Sequence, residues 1–269
     1  MKNGQHNSKY LSLLNRGIAT FGLLGIILFF IAETAQAQYK QKQMDYFGFQ
    51  YRPLIPVGVV GDRPIEIGDD DFSSVVSPKL GYNFGGVVRF GLTQLIAIET
   101  GLSYTRRTYG VEYLVPDSLL MSHNTVGFIN YDIPVNLLVY ITLGKEFYMN
   151  TSLGGSLNFY PSNVRNRALP GSQHQFIFEG RRGGFFSTDV NANVGFEYRT
   201  EKSGIFYMGF SGKIPIQPIF IIATEYRYDT FREVRFGQVD GATLSLDFKY
   251  FFHTTPKKDP IFKPGPIEQ

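Results

Sequence analysis

From residue 45 onward the chain alternates apolar and polar residues with a period of two. In the stretch 243–252, Leu244, Leu246, Phe248, Tyr250 and Phe252 share one parity. Thr243, Ser245, Asp247 and Lys249 share the other, with Phe251 the exception. Successive side chains of a strand point to opposite faces, so this pattern predicts a strand with one oily and one polar face. Seven further runs read the same way: 45–54, 79–91, 95–109, 127–142, 147–160, 185–200 and 204–216. No helical periodicity of comparable length competes. Pro134 inside the fourth run predicts a bulge or local break, because proline cannot donate to a ladder. Pro215 and Pro218 are expected to end the seventh.

The connections decide what the two faces meet. Three links, after residues 91, 142 and 200, are short turns. Those between the first and second runs, third and fourth, fifth and sixth, and seventh and eighth are much longer. A soluble Greek-key sandwich has no reason to alternate in this way. A membrane barrel does, with short turns on one side and long loops on the other. Runs of roughly ten residues also suit tilted strands crossing an apolar slab. The expected fold is therefore all-β: an eight-stranded antiparallel up-and-down transmembrane β-barrel with short periplasmic turns and long extracellular loops. The outer membrane is the expected location, with both mature termini periplasmic. Aromatics at 16%, with 25 Phe and 17 Tyr, suit rings placed at a membrane interface. Tyr46, Tyr109, Tyr148, Tyr160, Tyr198 and Phe252 are the expected anchors.

The polar parity carries Arg52, Arg89, Glu99, Arg107, Asp132, Asp189, Glu197, Lys213, Asp247 and Lys249. Inside a narrow eight-stranded lumen, filled by side chains rather than by a channel, these acids and bases are expected to pair as an internal charge network. Leu246, Phe248 and Tyr250 would then face lipid. Gly81, Gly101, Gly154 and Gly195 would make room for the long side chains.

The beginning of the chain reads as a targeting segment. Lys2, Lys9 and Arg16 precede the apolar run 17–32, and Ala35-Gln36-Ala37 follows. A positive start, an apolar middle and a small-residue exit describe a secretory signal over 1–37, with cleavage between Ala37 and Gln38. Losing Lys2, Lys9, Arg16 and Glu33 takes 26 basic and 23 acidic residues to 23 and 22. So small a net charge argues against nucleic acid as a partner. The barrel is expected over 38–253, and the Pro- and Lys-bearing 254–269 as a disordered periplasmic tail. The chain has no cysteine, which excludes disulfides, thiol catalysis and cysteine-held metal.

Candidate chemistry is sparse. His123 with Asp117, or His174 with Glu179, could form a hydrolytic pair only if loops converged. Solvated loop residues are the preferred reading, and neither a catalytic residue nor a cofactor is assigned. Asp69–Asp71 lacks the alternating ligand spacing of a calcium loop, so no metal is assigned either. Arg165, Arg167, Arg181 and Arg182, in the expected loop 161–184, are the candidate contacts to lipid phosphate or an acidic partner. Apolar residues in the expected loop 110–126 suggest packing over the barrel mouth or onto a partner.

The segments GLSYTRRTYG (101–110), YDIPVNLLVY (131–140), SLGGSLNFY (152–160) and LSLDFKYFF (244–252) resemble the PorT-like outer-membrane β-barrel family of Bacteroidota. The resemblance covers about residues 45–252. It implies a small non-enzymatic barrel with outer-membrane lipid, the barrel assembly machinery and other envelope proteins as partners. It also implies a scaffold or accessory role in an envelope complex, with a type IX secretion link. A small pore is the alternative reading, and a barrel hydrolase a remoter one.

Overall fold

The computed structural model describes residues 45–56, 63–69, 71–93, 95–116, 120–169, 173–200 and 202–253. The expected signal segment with its Ala37–Gln38 site, Asp70, Asp117 and the expected tail lie outside the described residues. Thirteen strands are formed: β1 (Asp45–Ile55), β2 (Ile65–Gly68), β3 (Ser73–Gly91), β4 (Ile96–Val115), β5 (Leu120–Thr142), β6 (Phe147–Phe159), β7 (Val164–Ala168), β8 (His174–Arg182), β9 (Phe186–Thr200), β10 (Gly204–Pro215), β11 (Phe220–Tyr228), β12 (Phe231–Val239) and β13 (Thr243–Phe251). All pairings are antiparallel.

Eight of the strands run in the order β1-β13-β10-β9-β6-β5-β4-β3, and β3 pairs again with β1. The register can be followed round this circuit, from Asp45 through Phe90, Ile98, Leu137, Leu153, Ala192, Gly212 and Leu244, back to β1 at Ile55. The path returns to its own strand some ten residues further on, and with usual strand spacings that stagger sets a tilt of roughly 40°.

The two faces follow the alternation. On β5, Tyr131, Ile133, Val135, Leu137 and Val139 are exposed, while Asp132, Pro134, Asn136, Leu138 and Tyr140 are buried. On β1, Phe47, Phe49 and Tyr51 point out, while Gln50, Arg52 and Leu54 point in. Pro134 leaves a gap in the β4–β5 ladder opposite Gly101 and Leu102, with the register unchanged on either side. Its carbonyl accepts a 2.7 Å bond from the Thr100 hydroxyl. The register shift falls elsewhere, between Lys79 and Tyr82, just after Pro78. β10 ends at Pro215.

The short turns agree with expectation, but the long loops do not. β3, β4 and β5 are 19, 20 and 23 residues long. At about 3.3 Å per residue β5 extends roughly 75 Å along its axis, far more than a tilted strand needs to cross a bilayer. The segment 110–126 is therefore largely strand, and 161–184 carries the β7–β8 pair. Together with β11 and β12 these make a second sheet, in the order β12-β11-β8-β7. β2 adds to β3, and Asp69 just after it caps the following turn by accepting from the backbone N–H groups of Asp71 and Phe72 at 3.2 and 3.4 Å. Asp69 also pairs with Arg235 on β12 while its side chain stays exposed to solvent.

Glycine solves two different problems in the circuit. A side chain on Gly195 or Gly209 would collide with the Tyr207 phenol, which lies over both. At Gly101 and Gly154 the obstacle is the neighbouring strand's backbone: an added Cβ would come within 2.2 Å of the Gly86 carbonyl and 2.1 Å of the Val135 carbonyl respectively. Gly81 is of the same kind, 2.5 Å from the Arg106 carbonyl. At Gly101 only backbone crowds the site, which corrects the expectation there, whereas Asn136 Oδ1 at 2.5 Å from Gly154 and Leu54 at 3.2 Å from Gly81 also use the space. Gly154→Val is expected to cost about 1–3 kcal/mol by forcing the β5–β6 ladder apart. A lowered midpoint in urea unfolding followed by circular dichroism in detergent would register it.

Candidate functional site

The interior of the circuit is polar and charged. Arg52, Arg89, Glu99, Arg107, Asp132, Asp189, Glu197, Asp247 and Lys249 are all buried. Lys213 is nearly so, its side chain 14% exposed. Each sits on a position of inward parity, most of them beside an apolar outward neighbour, which is what brings ten residues from seven strands together.

They divide into linked groups. In one, Arg89 on β3 reaches Glu99 on β4 at 2.8 Å and Glu197 on β9 at 2.5 Å. Glu99 also holds Lys249 on β13, and Glu197 holds Arg199 at 2.6 Å. Arg89 lies over the Phe251 ring at 4.1 Å, so the residue that broke the alternation of the last strand turns inward to meet a cation. In another group, Arg52 meets Asp247 at 3.3 Å. Asp247 further accepts bonds from Ser211 at 2.8 Å, Ser245 at 2.9 Å and Asn193 at 2.9 Å. In a third, Lys213 bridges Asp132 at 3.0 Å and Asp189 at 3.7 Å. Asp132 also accepts from Asn83 and Thr105. Arg107 is buried higher up, close to Gly241, where an added Cβ would lie 2.5 Å from its guanidinium and φ is +81°. Arg199 was not singled out from the sequence, although it shares the parity of Glu197 in the same run.

Above this charged tier lies an apolar one. Phe72, Val76, Tyr109, Val111, Tyr113, Phe128, Tyr160, Phe176, Phe178, Phe220, Ile222 and Val239 belong to one buried cluster. Ring contacts run through it: Phe128–Phe220 at 4.0 Å, Tyr113–Phe176 at 4.8 Å, Phe176–Tyr226 at 5.3 Å and Tyr160–Phe220 at 5.4 Å. Its walls are β2, the far ends of β3, β4 and β5, and the second sheet. Tyr109 and Tyr160 therefore lie in a core rather than at a membrane edge. Tyr46 packs on Phe251 at 6.4 Å, and Tyr148 lies beneath Arg199 at 4.1 Å, so both turn inward as well. Tyr198 and Phe252 are exposed on the outer face, as an anchor must be. Burial pushes the Tyr113 phenol above its ordinary range, and its hydroxyl finds no hydrogen-bond partner among the described residues.

The histidines form no hydrolytic arrangement among the described residues. His123 is on the outer face of β5, opposite Glu112. The His174 ring stacks 4.4 Å from Tyr228, and its Nδ1 is 2.7 Å from the Tyr226 hydroxyl. Glu179 is five residues along β8, on the opposite face and about 17 Å away, and it is engaged by Arg181 at 2.7 Å. No group of three or more His, Cys, Asp or Glu able to hold a metal occurs among the described residues. Of the four arginines singled out, Arg165 and Arg167 are exposed on β7. Arg182 donates to the carbonyls of Tyr160 at 3.0 Å and Pro161 at 2.6 Å and stacks on Phe185 at 3.7 Å.

The chain matches no protein-family model and no curated protein sequence. Among solved structures it is similar to the outer membrane protein OprG from Pseudomonas aeruginosa, at 13% identity over 80% of this chain and 98% of that chain, with a TM-score of 0.46. It is also similar to the beta domain of the Bordetella autotransporter BrkA, at 11% identity over 80% of this chain and 100% of that chain, with a TM-score of 0.27.

Two outcomes test this geometry. Glu99→Leu removes the shared partner of Arg89 and Lys249 and is expected to destabilise the fold by about 3–5 kcal/mol, because buried cations lose a counter-charge. Adding Lys249→Met should recover part of that loss in denaturant titrations. In the second sheet, burial works to raise the Glu225 carboxyl, but hydrogen bonds from Arg227 and Arg232 outweigh it and hold the carboxyl below its usual range. A depressed carboxyl adds stability above its unfolded pKa and loses it as pH falls through the folded value. Amide exchange in β11 and β12 is therefore expected to quicken below about pH 4, relative to Glu225→Gln, whose exchange should not show that step.

Proposed function

We propose that this chain is an integral outer-membrane protein, a closed eight-stranded transmembrane barrel without catalytic activity that serves as a scaffold or accessory subunit of an envelope complex. The observation that carries this reading is the inversion of burial around the circuit. Apolar side chains from all eight strands are exposed on the outside, among them Phe49, Phe84, Leu102, Val135, Leu153, Val194, Phe210 and Phe248. The buried charges occupy the inside. In water that arrangement leaves a continuous apolar belt exposed, which soluble proteins avoid. In hydrocarbon it satisfies both faces, and the circuit satisfies the backbone.

The short turns after β3, β5 and β9, and the described ends of β1 and β13, lie at one end of the circuit. We assign that end to the periplasm and the second sheet to the cell exterior. A pore is disfavoured by the two tiers of filling, ion pairs below and aromatic rings above. A cavity of about 30 Å³ near Leu54, Pro56, Pro78 and Arg107 has room for little more than a water. A scaffold role agrees with the apolar side chains presented by the cap, where Phe236 on β12 is 72% exposed and Met121 at the start of β5 is 75% exposed. It also agrees with the resemblance to PorT-like barrels.

The purified chain is expected to fold only with detergent or lipid, to migrate differently on gels before and after boiling, and to show no sustained conductance in planar bilayers. A folded, soluble monomer without surfactant overturns the membrane assignment. Nanosiemens currents overturn the filled interior and leave the membrane assignment standing.

A further inference from the structure

We propose that the outer face of β3–β4–β5, just above the apolar belt, is a seat for the phosphate group of a membrane lipid. The inference rests on the membrane orientation given above. The belt ends on this side in an aromatic rim: Tyr82, Phe84, Tyr104 and Tyr131 are in mutual ring contact, with Phe84–Tyr104 at 5.2 Å and Tyr104–Tyr131 at 5.7 Å. The next outward positions are Leu80 on β3, Arg106 on β4 and Ile129 on β5, so the first cation stands on the middle strand. Arg106 stands two residues beyond Tyr104 on β4 and is exposed, and so is Lys79 on β3.

Both side chains are laid flat on the sheet by glycine. An added Cβ on Gly110 would meet Lys79 at 2.6 Å, and one on Gly127 would meet Arg106 Nε at 3.1 Å. Lys79 crosses β4 in this way to donate to the Thr125 hydroxyl on β5 at 3.3 Å. Thr125 pairs with Gly110, and Gly127 lies two residues along the same face, so the two cations overlie points about 7 Å apart. A phosphate monoester spans such a gap, taking a fork from the guanidinium and a point charge from the ammonium.

Neither Lys79 nor Arg106 forms an ion pair among the described residues, whereas the interior cations Arg52, Arg89, Arg199, Lys213 and Lys249 do. The strip continues onto β7, where Asn166 donates to the Asn124 side chain at 3.0 Å and to the Thr125 carbonyl at 3.3 Å, and the exposed Arg165 and Arg167 flank it. On β2–β4 the acids Glu66 and Glu112 stand further from the belt, in line with Val75, and Glu179 opposite Arg165 on β8 is engaged by Arg181. Going outward, the order is aromatic rings, then cations, then acids. Acyl chains against the rim place a lipid's phosphate at the level of the cations, which is why we assign the seat to a lipid rather than to free phosphate.

The test uses the full chain in nanodiscs of phosphatidylcholine with a minor share of phosphatidic acid, read by phosphorus NMR. Selective broadening of the phosphatidic acid resonance is expected, weakening about tenfold for each of Lys79→Gln and Arg106→Gln. Arg106→Lys, which keeps the charge and loses the fork, should retain only part of it, and all variants should keep the gel mobility of the folded barrel. No preference for phosphatidic acid, or full retention in the double variant, overturns the seat while the barrel stands. Displacement by equimolar inorganic phosphate overturns the assignment to lipid. Failure of the wild-type chain to enter the discs overturns the membrane reading itself.

Discussion

A strand placed in hydrocarbon must give every backbone N–H and C=O a partner, and a ring of strands does this without leaving an edge. The pairing of β1 with both β3 and β13 is the contact on which the rest depends. It divides each strand into an inside and an outside, and it makes the inside narrow. A circuit of eight strands has no room for a wet channel beside long side chains. Arginine and lysine placed there must find carboxylates, since isolated buried charge is costly while a well-bonded pair is tolerable. Glu99, Glu197 and Asp132 each answer more than one donor, Thr105 adds a neutral bond to Asp132, and Ser211, Ser245 and Asn193 donate to Asp247 beside Arg52.

Much of this was legible in the sequence because it depends on parity alone. Asp247 and Lys249, or Asp132 and Asn136, declare their face by position whatever the strand pairs with. Partners are another matter. That Arg89 meets Glu99 and Glu197, or that Lys213 reaches Asp132, depends on the stagger accumulated round the circuit, which one sequence does not display. Phe251 looked like an error in the pattern because a ring among charges has no reason to be there until Arg89 is placed over it.

The second sheet was illegible for a different reason. Its strands are short and share one face with a core that other elements supply. β7, VRNRA, and β12, FREVRFGQV, carry too many charges to announce themselves. In β8, Phe176, Ile177 and Phe178 are buried in succession, which blurs the alternation. The clue available was negative: 110–126 held apolar residues that a wet loop would not keep. Tyr113 and Val115 do pack over the mouth, but as members of extended strands.

The two tiers inside the molecule carry different physical loads. The charged tier lies behind the apolar belt, where directional pairs hold one register of the strands against slippage. The apolar tier stands beyond the belt, where polar outer positions and a buried apolar interior give an ordinary hydrophobic core. That difference explains why the strands can lengthen on one side only. Past the belt an exposed apolar face is no longer required, so the outer positions of β3, β4, β5 and β7 turn to Lys79, Arg106, Thr125, Arg165 and Glu112, while Val76, Val111 and Val126 turn apolar side chains inward. The change of polarity on both faces over the same few residues marks the edge of the apolar belt, and the basic strip falls on that level.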